Sequence, residues 1–324
     1  MDLKEFLAEW HNDSPTVLVH TSGSTGKPKP MWVEKRLMEA SARMTCDFLG
    51  LREGDTALLC LPLDYIAGKM VVVRSLVRGL RLISVEPCGE PLNTELGRLD
   101  FAAMVPMQVW NSLQVPEQRE RLMRIRQLII GGGAIDDALA RALVGLPNQV
   151  WSTYGMTETL SHIALRRLNG PEASEWYTPF EGVGLSLTAE GCLVIDAPLV
   201  CEERLTTNDM AEIDPQGRFR ILGRKDNVVC SGGIKIHIEE VERLLTSNLS
   251  APFLISKRRD EKFGEAVVLL TEGSTEEARQ TCRQVLPKHW CPRFFVHVDH
   301  IPLTATGKLA RFQAQQIAES WENG

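Results

Sequence analysis

The stretch Thr21-Ser-Gly-Ser-Thr-Gly-Lys-Pro-Lys29 follows a short apolar run, Thr16 to His20, that reads as a strand. Its glycines let the backbone approach a ligand, its hydroxyls and backbone N–H groups donate, and its lysines supply charge, so the loop can wrap a polyphosphate. It is not a P-loop: that motif needs glycine where Thr21 stands and Ser or Thr where Pro28 stands. Pro28 also stops a helix from running straight through. Taken alone, a loop of this composition can equally be a surface turn.

Other segments change that balance. Tyr154-Gly-Met-Thr-Glu158-Thr159 is followed by Thr207-Asn-Asp209, Gly223-Arg-Lys-Asp226, Ser231-Gly-Gly233 and Thr306-Gly-Lys308. Together with the loop, and in this order, they resemble the motifs of the adenylate-forming superfamily, which includes acyl-CoA synthetases, luciferases and peptide-synthetase adenylation domains. The resemblance runs from Pro15 to Arg311. It implies an enzyme that uses ATP and Mg²⁺ to join a carboxylic acid to AMP, then passes the acyl group to coenzyme A.

Composition is compatible. The 324 residues favour two domains, and 44% hydrophobic with 24% charged residues allows a sizeable core. A formal charge of −6 argues against general nucleic-acid binding. No apolar run approaches the length of a membrane span, and Met1-Asp-Leu-Lys-Glu-Phe6 does not read as a secretory signal, so a cytoplasmic location is expected. The eight cysteines include no Cys-x-x-Cys pair, which fits reduced thiols. His289, Cys291, His297 and His300 lie close in sequence but match no zinc spacing.

From Thr16 to about Val150, apolar runs at Thr56–Leu61, Arg81–Val85, Phe101–Val105 and Gln127–Ile130 alternate with helical stripes such as Leu37, Ala40, Met44 and Phe48. That alternation predicts an α/β domain of mainly parallel sheet with covering helices. After Gly182, short strands at Gly191–Asp196 and Gly217–Leu222 predict a β-rich subdomain. An α+β module then follows, with a helix around Ile238–Leu245, strands at Phe253–Ser256 and Ala266–Thr271, and a helix at Thr275–Leu286. The expected division is 1–225, a large N-terminal domain shortened at its start, and 226–324, a small mobile lid. The resemblance also implies an extended region before the phosphate loop, whereas here the loop starts about twenty residues in. Sheet edges left open by such shortening could be covered by a second subunit, making a homodimer.

The resemblance assigns roles residue by residue. Thr21, Ser22, Gly23, Ser24, Thr25, Gly26 and Lys27 would hold the β- and γ-phosphates. Thr157 would bond the α-phosphate or carboxylate, and Glu158 would ligate Mg²⁺. Gly131, Gly132 and Gly133, with Tyr154 and Gly155, would flank the adenine, while Asp209 and Arg224 would hold the ribose. Lys308 would bridge carboxylate and α-phosphate, Asp226 would be the hinge, and Ser231, Gly232 and Gly233 would serve the coenzyme A step. Two positions depart from the family pattern: Pro30 and Asn208 each stand where glycine is usual. Asn tolerates a left-handed backbone better than most residues, so the change at Asn208 is mild.

Leu61-Pro-Leu-Asp-Tyr-Ile-Ala-Gly68 resembles the family's Pro-Leu-Phe-His segment, with Tyr65 in place of His, and Arg74 follows inside the apolar run Met70–Leu76. An arginine there is costly unless paired. It reads as a snorkelling or salt-bridged residue, or as a bidentate partner for a second substrate carboxylate. The arrangement is similar to the o-succinylbenzoate–CoA ligases of menaquinone biosynthesis, which implies an acid pocket of Tyr65, Lys69, Arg74, Thr153 and His162. Other aryl- or fatty-acyl-CoA ligases, an acyl-AMP ligase serving a carrier protein, and a non-catalytic nucleotide-binding protein remain alternatives.

Overall fold

The computed structural model describes residues 1–20, 30–133, 135–303 and 309–321. The chain forms two compact units. The first comprises Met1–Ser186, Val194–Leu205 and Ile213–Arg220; the second comprises Leu187–Leu193, Thr206–Glu212 and Ile221–Gly324.

The first unit opens with α1 (Leu3–Trp10), started by a capping box in which Asp2 and Glu5 each accept from the other's backbone N–H. Strands β1 (Thr16–His20) and β2 (Pro30–Glu34) form an antiparallel two-stranded sheet. Then come α2 (Lys35–Leu49), β3 (Thr56–Leu59), α3 (Ile66–Arg78), β4 (Arg81–Ser84), β5 (Phe101–Met104), α4 (Pro106–Gln114), α5 (Pro116–Met123), β6 (Gln127–Ile130), α6 (Asp137–Leu143), β7 (Gln149–Gly155), β8 (His162–Arg167) and β9 (Thr178–Pro179).

A seven-stranded sheet has the order β4-β3-β5-β6-β7-β8-β9. It is parallel from β4 through β7, and β8 and β9 join antiparallel. Every residue of β3, β5 and β6 is buried. This is why these strands read as continuous apolar runs: helices cover both faces of a parallel sheet. Leu58, Ala102, Met104, Leu128 and Ile130 share one core with Val109, Leu122, Leu139 and Leu143.

One expectation needs correction, and one departure from the family pattern is explained. The Thr16–His20 strand pairs with β2, outside the parallel sheet. Pro30 is the first residue of β2, a place where the missing N–H is tolerated.

β10 (Gly184–Leu187), β11 (Cys192–Asp196), β12 (Leu205–Ile213) and β13 (Phe219–Arg224) form a four-stranded sheet in chain order. The second unit continues with β14 (Val228–Ser231), β15 (Ile234–His237), α7 (Ile238–Thr246), β16 (Phe253–Asp260), β17 (Gly264–Thr271), α8 (Thr275–Val285), β18 (Phe294–His297) and α9 (Arg311–Ser320). Its five-stranded sheet is antiparallel except for β17 and β18. Val241 and Leu245 of α7 and Ala278 and Cys282 of α8 fill one core with Ile255, Val267 and Leu269. Ala314 and Ala318 of α9 pack with Leu254, Val268 and Leu270.

α1 matters for the site because it covers α3. Phe6 is fully buried, and the Lys69 ammonium of α3 lies 4.7 Å from its ring centroid and 3.6 Å from Glu9 Oε2. Removing that ring should leave a cavity over a buried cation. Phe6→Ala is expected to cost about 3–5 kcal/mol of stability, measured by chemical denaturation.

Candidate active site

The Tyr154-Gly-Met-Thr-Glu-Thr segment lies where β7 turns back into β8. The ladder shifts register at Tyr154 and Gly155. A Cβ on Gly155 would lie 2.2 Å from the Ser161 carbonyl oxygen and 2.4 Å from His162 Cα, so only glycine fits the crossing. Thr157–Thr159 then form one 3₁₀ turn. The Thr159 hydroxyl accepts from Met156 N at 3.0 Å and lies 2.7 Å from the Ser161 carbonyl oxygen, to which it can donate. Leu160 closes the turn with φ +64°, the one non-glycine residue at positive φ among the described residues. Glu158 is exposed and Thr157 half-buried.

Tyr154 packs at 5.0 Å on Phe219 and 5.8 Å on Tyr177, which stack on each other. Gly131–Gly133 follow β6, and a Cβ on Gly131 would meet the Thr153 hydroxyl at 2.4 Å. Gly132 has φ +77°. The structure therefore places the glycine stretch directly against Thr153, on the strand that carries Tyr154 and Gly155.

The acid-pocket residues divide. Tyr65 stands at the start of α3 and is 41% exposed. Lys69 points away to α1, where Met1 Sδ lies 3.1 Å from its Nζ, and burial pushes its ammonium below the ordinary lysine range.

Arg74 is 1% exposed, and among the described residues it forms no ion pair. The snorkelling reading is therefore wrong. Its Nη2 donates to Ser161 Oγ at 2.8 Å, and its Nε is buried without a partner. Burial lowers its pKa to about 10, so it keeps its charge at neutral pH.

His162 is buried beside it, with Nδ1 3.2 Å from Ser161 Oγ and Nε2 3.1 Å from Thr45 Oγ1 of α2. Burial first, and the Arg74 charge second, push its pKa well below 6.5. Sequence reading missed Ser161 and Thr45. Ser161 stands two residues after Thr159 of the Thr157-Glu158-Thr159 motif, and Thr45 shares a helical face with Met38, Ser41 and Leu49, all buried.

In the second unit Asp209 lies in β12, its N–H bonded to Thr207 Oγ1 at 3.1 Å. Asn208 is in the same extended strand, not in a left-handed conformation, so glycine's freedom is not needed there. Its amide donates to Asp226 Oδ2 at 3.1 Å, and Arg224 Nη2 lies 3.7 Å from the same oxygen. Ser231 ends β14, and Gly232 and Gly233 turn at φ +57° and +83°. Thr21, Ser22, Gly23, Ser24, Thr25, Gly26, Lys27 and Lys308 lie outside the described residues.

No group of three or more His, Cys, Asp or Glu side chains among the described residues could hold a metal ion. Glu158 offers one exposed carboxylate, and Mg²⁺ is commonly held by one or two carboxylates together with substrate phosphates.

Residues 4–200 match the AMP-binding enzyme family, and residues 256–308 match the AMP-binding enzyme C-terminal domain. The chain belongs to the AMP-binding enzyme family. Among its relatives is the 2-succinylbenzoate–CoA ligase of a Geobacillus species, 26% identical over 99% of this chain and 72% of the relative. The ligase of the same name from Bacillus cereus is also 26% identical, over 93% of this chain and 70% of the relative.

An acyl-CoA synthetase (AMP-forming)/AMP-acid ligase II-like protein from Dyadobacter fermentans is 34% identical with a TM-score of 0.68, covering 96% of this chain and 92% of that one. The Bacillus subtilis o-succinylbenzoate coenzyme A synthetase, solved with ATP and magnesium ion, shares the fold at a TM-score of 0.73 and 23% identity, covering 91% and 69%.

Because His162 is held neutral, the unfolded chain binds a proton below about pH 6.5 that the folded chain does not. Stability is therefore present above that pH and falls as pH drops, by about 1.4 kcal/mol per unit for this group. Denaturation between pH 5 and 7 should show a shallower slope in His162→Gln.

Proposed function

We propose that this protein is an ATP-dependent acid–CoA ligase whose acid carries a second carboxylate, of the o-succinylbenzoate type. The observation behind this reading is Arg74: a buried guanidinium with no carboxylate partner among the described residues and an unused Nε. A buried charge left in that state costs stability, and a bound carboxylate would compensate it with charge-assisted hydrogen bonds. The ligases named for 2-succinylbenzoate among the relatives support the same choice.

In the first half-reaction a carboxylate oxygen of the acid attacks the α-phosphorus of ATP, the bond to the β-phosphate breaks, and pyrophosphate leaves. In the second, the coenzyme A sulfur attacks the acyl carbon and AMP departs. Both steps concentrate negative charge near the α-phosphate. Thr157 is assigned a hydrogen bond to that phosphate, and Lys308 a cation that bridges it to the carboxylate. The phosphate loop 21–27 is assigned the leaving pyrophosphate. Glu158 would hold Mg²⁺ jointly with the phosphates, supplying charge neutralisation there. Residues 226–324 are assigned the part of a lid turning at Asp226 between the half-reactions, with Ser231–Gly233 serving the second. Asp209 and Arg224 are assigned the ribose, and Gly131–Gly133 with Tyr154 the adenine. No helix among the described residues is long and apolar enough to cross a membrane.

Pyrophosphate release with Mg-ATP, measured across o-succinylbenzoate, benzoate and a medium-chain fatty acid, tests the reading. Turnover restricted to o-succinylbenzoate, with its CoA thioester formed, is expected; equal turnover of benzoate would remove the second-carboxylate requirement. Arg74→Ala should raise KM for o-succinylbenzoate by at least about thirtyfold, in line with the loss of one partner from a buried charge pair.

A further inference from the structure

We infer that His162 and Thr45 are positioning residues for Arg74, acting through the Ser161 hydroxyl, and that together they set the guanidinium's aim at the second carboxylate of the acid. The inference rests on the reading of Arg74 given above.

The donor and acceptor roles can be worked out one atom at a time. A guanidinium only donates, so Ser161 Oγ accepts from Arg74 Nη2 at 2.8 Å. The serine proton then needs an acceptor, and His162 Nδ1 lies 3.2 Å away. Nδ1 is therefore bare, which puts the imidazole proton on Nε2, 3.1 Å from Thr45 Oγ1. Thr45 in turn sends its own proton to the Ser41 carbonyl, 3.1 Å away and four residues back along α2. Each group has one role. With the proton on Nδ1 instead, Ser161 Oγ would face two donors, and its own hydrogen would lack this acceptor.

The elements hold this order rigidly. Phe180 packs edge-on against the imidazole with centroids 5.5 Å apart, which limits rotation of the ring. The Ser161 backbone is fixed by Thr159 and by the close approach of Gly155. Arg74 comes from α3, Thr45 from α2, and Ser161 and His162 from the start of β8, so three elements meet at one guanidinium. A hydroxyl on its own could rotate; a hydroxyl committed to a fixed imidazole cannot, and neither can the N–H that it receives.

The test is steady-state kinetics with o-succinylbenzoate on His162→Phe, Ser161→Ala, the double variant, His162→Gln and Arg74→Ala. His162→Phe and Ser161→Ala should each raise KM for the acid by about tenfold, with kcat changing by less than about threefold and KM for ATP unmoved. His162→Gln, which again offers one acceptor and one donor, should restore KM. The double variant should be no worse than Ser161→Ala alone, since both break one chain.

If Arg74→Ala raises KM while His162→Phe and Ser161→Ala do not, the positioning role is wrong and the carboxylate anchor stands. If Arg74→Ala leaves KM unchanged, the anchor falls and the inference with it. ¹⁵N NMR of His162 gives a readout that needs neither substrate nor a folded variant. A proton on Nε2 supports the chain of bonds, and a proton on Nδ1 overturns it.

Discussion

The site is organised by the closeness of two backbones at Gly155, where a hydrogen is the largest substituent that fits. That approach shifts the β7–β8 register and forces the intervening residues into a tight turn. Leu160 adopts a left-handed backbone there, at a cost on the order of 1 kcal/mol for a residue with a Cβ. Burial of its side chain and the two Thr159 hydrogen bonds offset it. One short turn thus leaves Glu158 exposed and, a few residues on, buries His162, with Thr157 and Ser161 half-buried between these extremes. Phosphate chemistry and acid recognition would share a single rigid hairpin.

The interior side of that hairpin is electrostatically unusual. Arg74 brings a full charge into a space shared with hydroxyls, a neutral imidazole and the buried Cys46 thiol, whose pKa burial raises. Those groups orient the guanidinium but do not neutralise it. For stability alone, an apolar side chain of similar volume would generally serve as well or better. On the proposed reading the guanidinium is half of a pair whose other half arrives with a ligand, and the site would then discriminate against acids that lack the second anion.

Much of this was legible in the chain. The parallel strands announce themselves as short apolar runs between turn signals, and their observed ends at Leu59, Ser84 and Met104 differ from the expected ones by one or two residues. Partnership was less legible. Periodicity identifies Thr16–His20 as a strand but does not say which strand it pairs with, and Pro30 hides β2. The same limit applies to side chains. Arg74 stands out as a charge in an apolar helix, yet its partner Ser161 is 87 residues away, and Thr45 is 117 residues from His162. No local pattern carries such pairings. Lys69 shows the same limit: the ring and carboxylate beside its ammonium come from α1.

The departures from the family's motifs are explained by the backbone. Pro30 begins an edge strand and Asn208 lies in an extended one, so neither position needs glycine here. Tyr65 precedes α3 at φ −109°, a conformation open to any residue, and its side chain is partly in solvent. The positions that sterics do restrict are glycine: Gly155 at the crossing, Gly131 against Thr153, and Gly68, where a Cβ would lie 2.4 Å from the Pro62 carbonyl oxygen. Those close approaches hold the turn that carries Thr157 and Glu158 and the first turn of α3, the helix that carries Arg74.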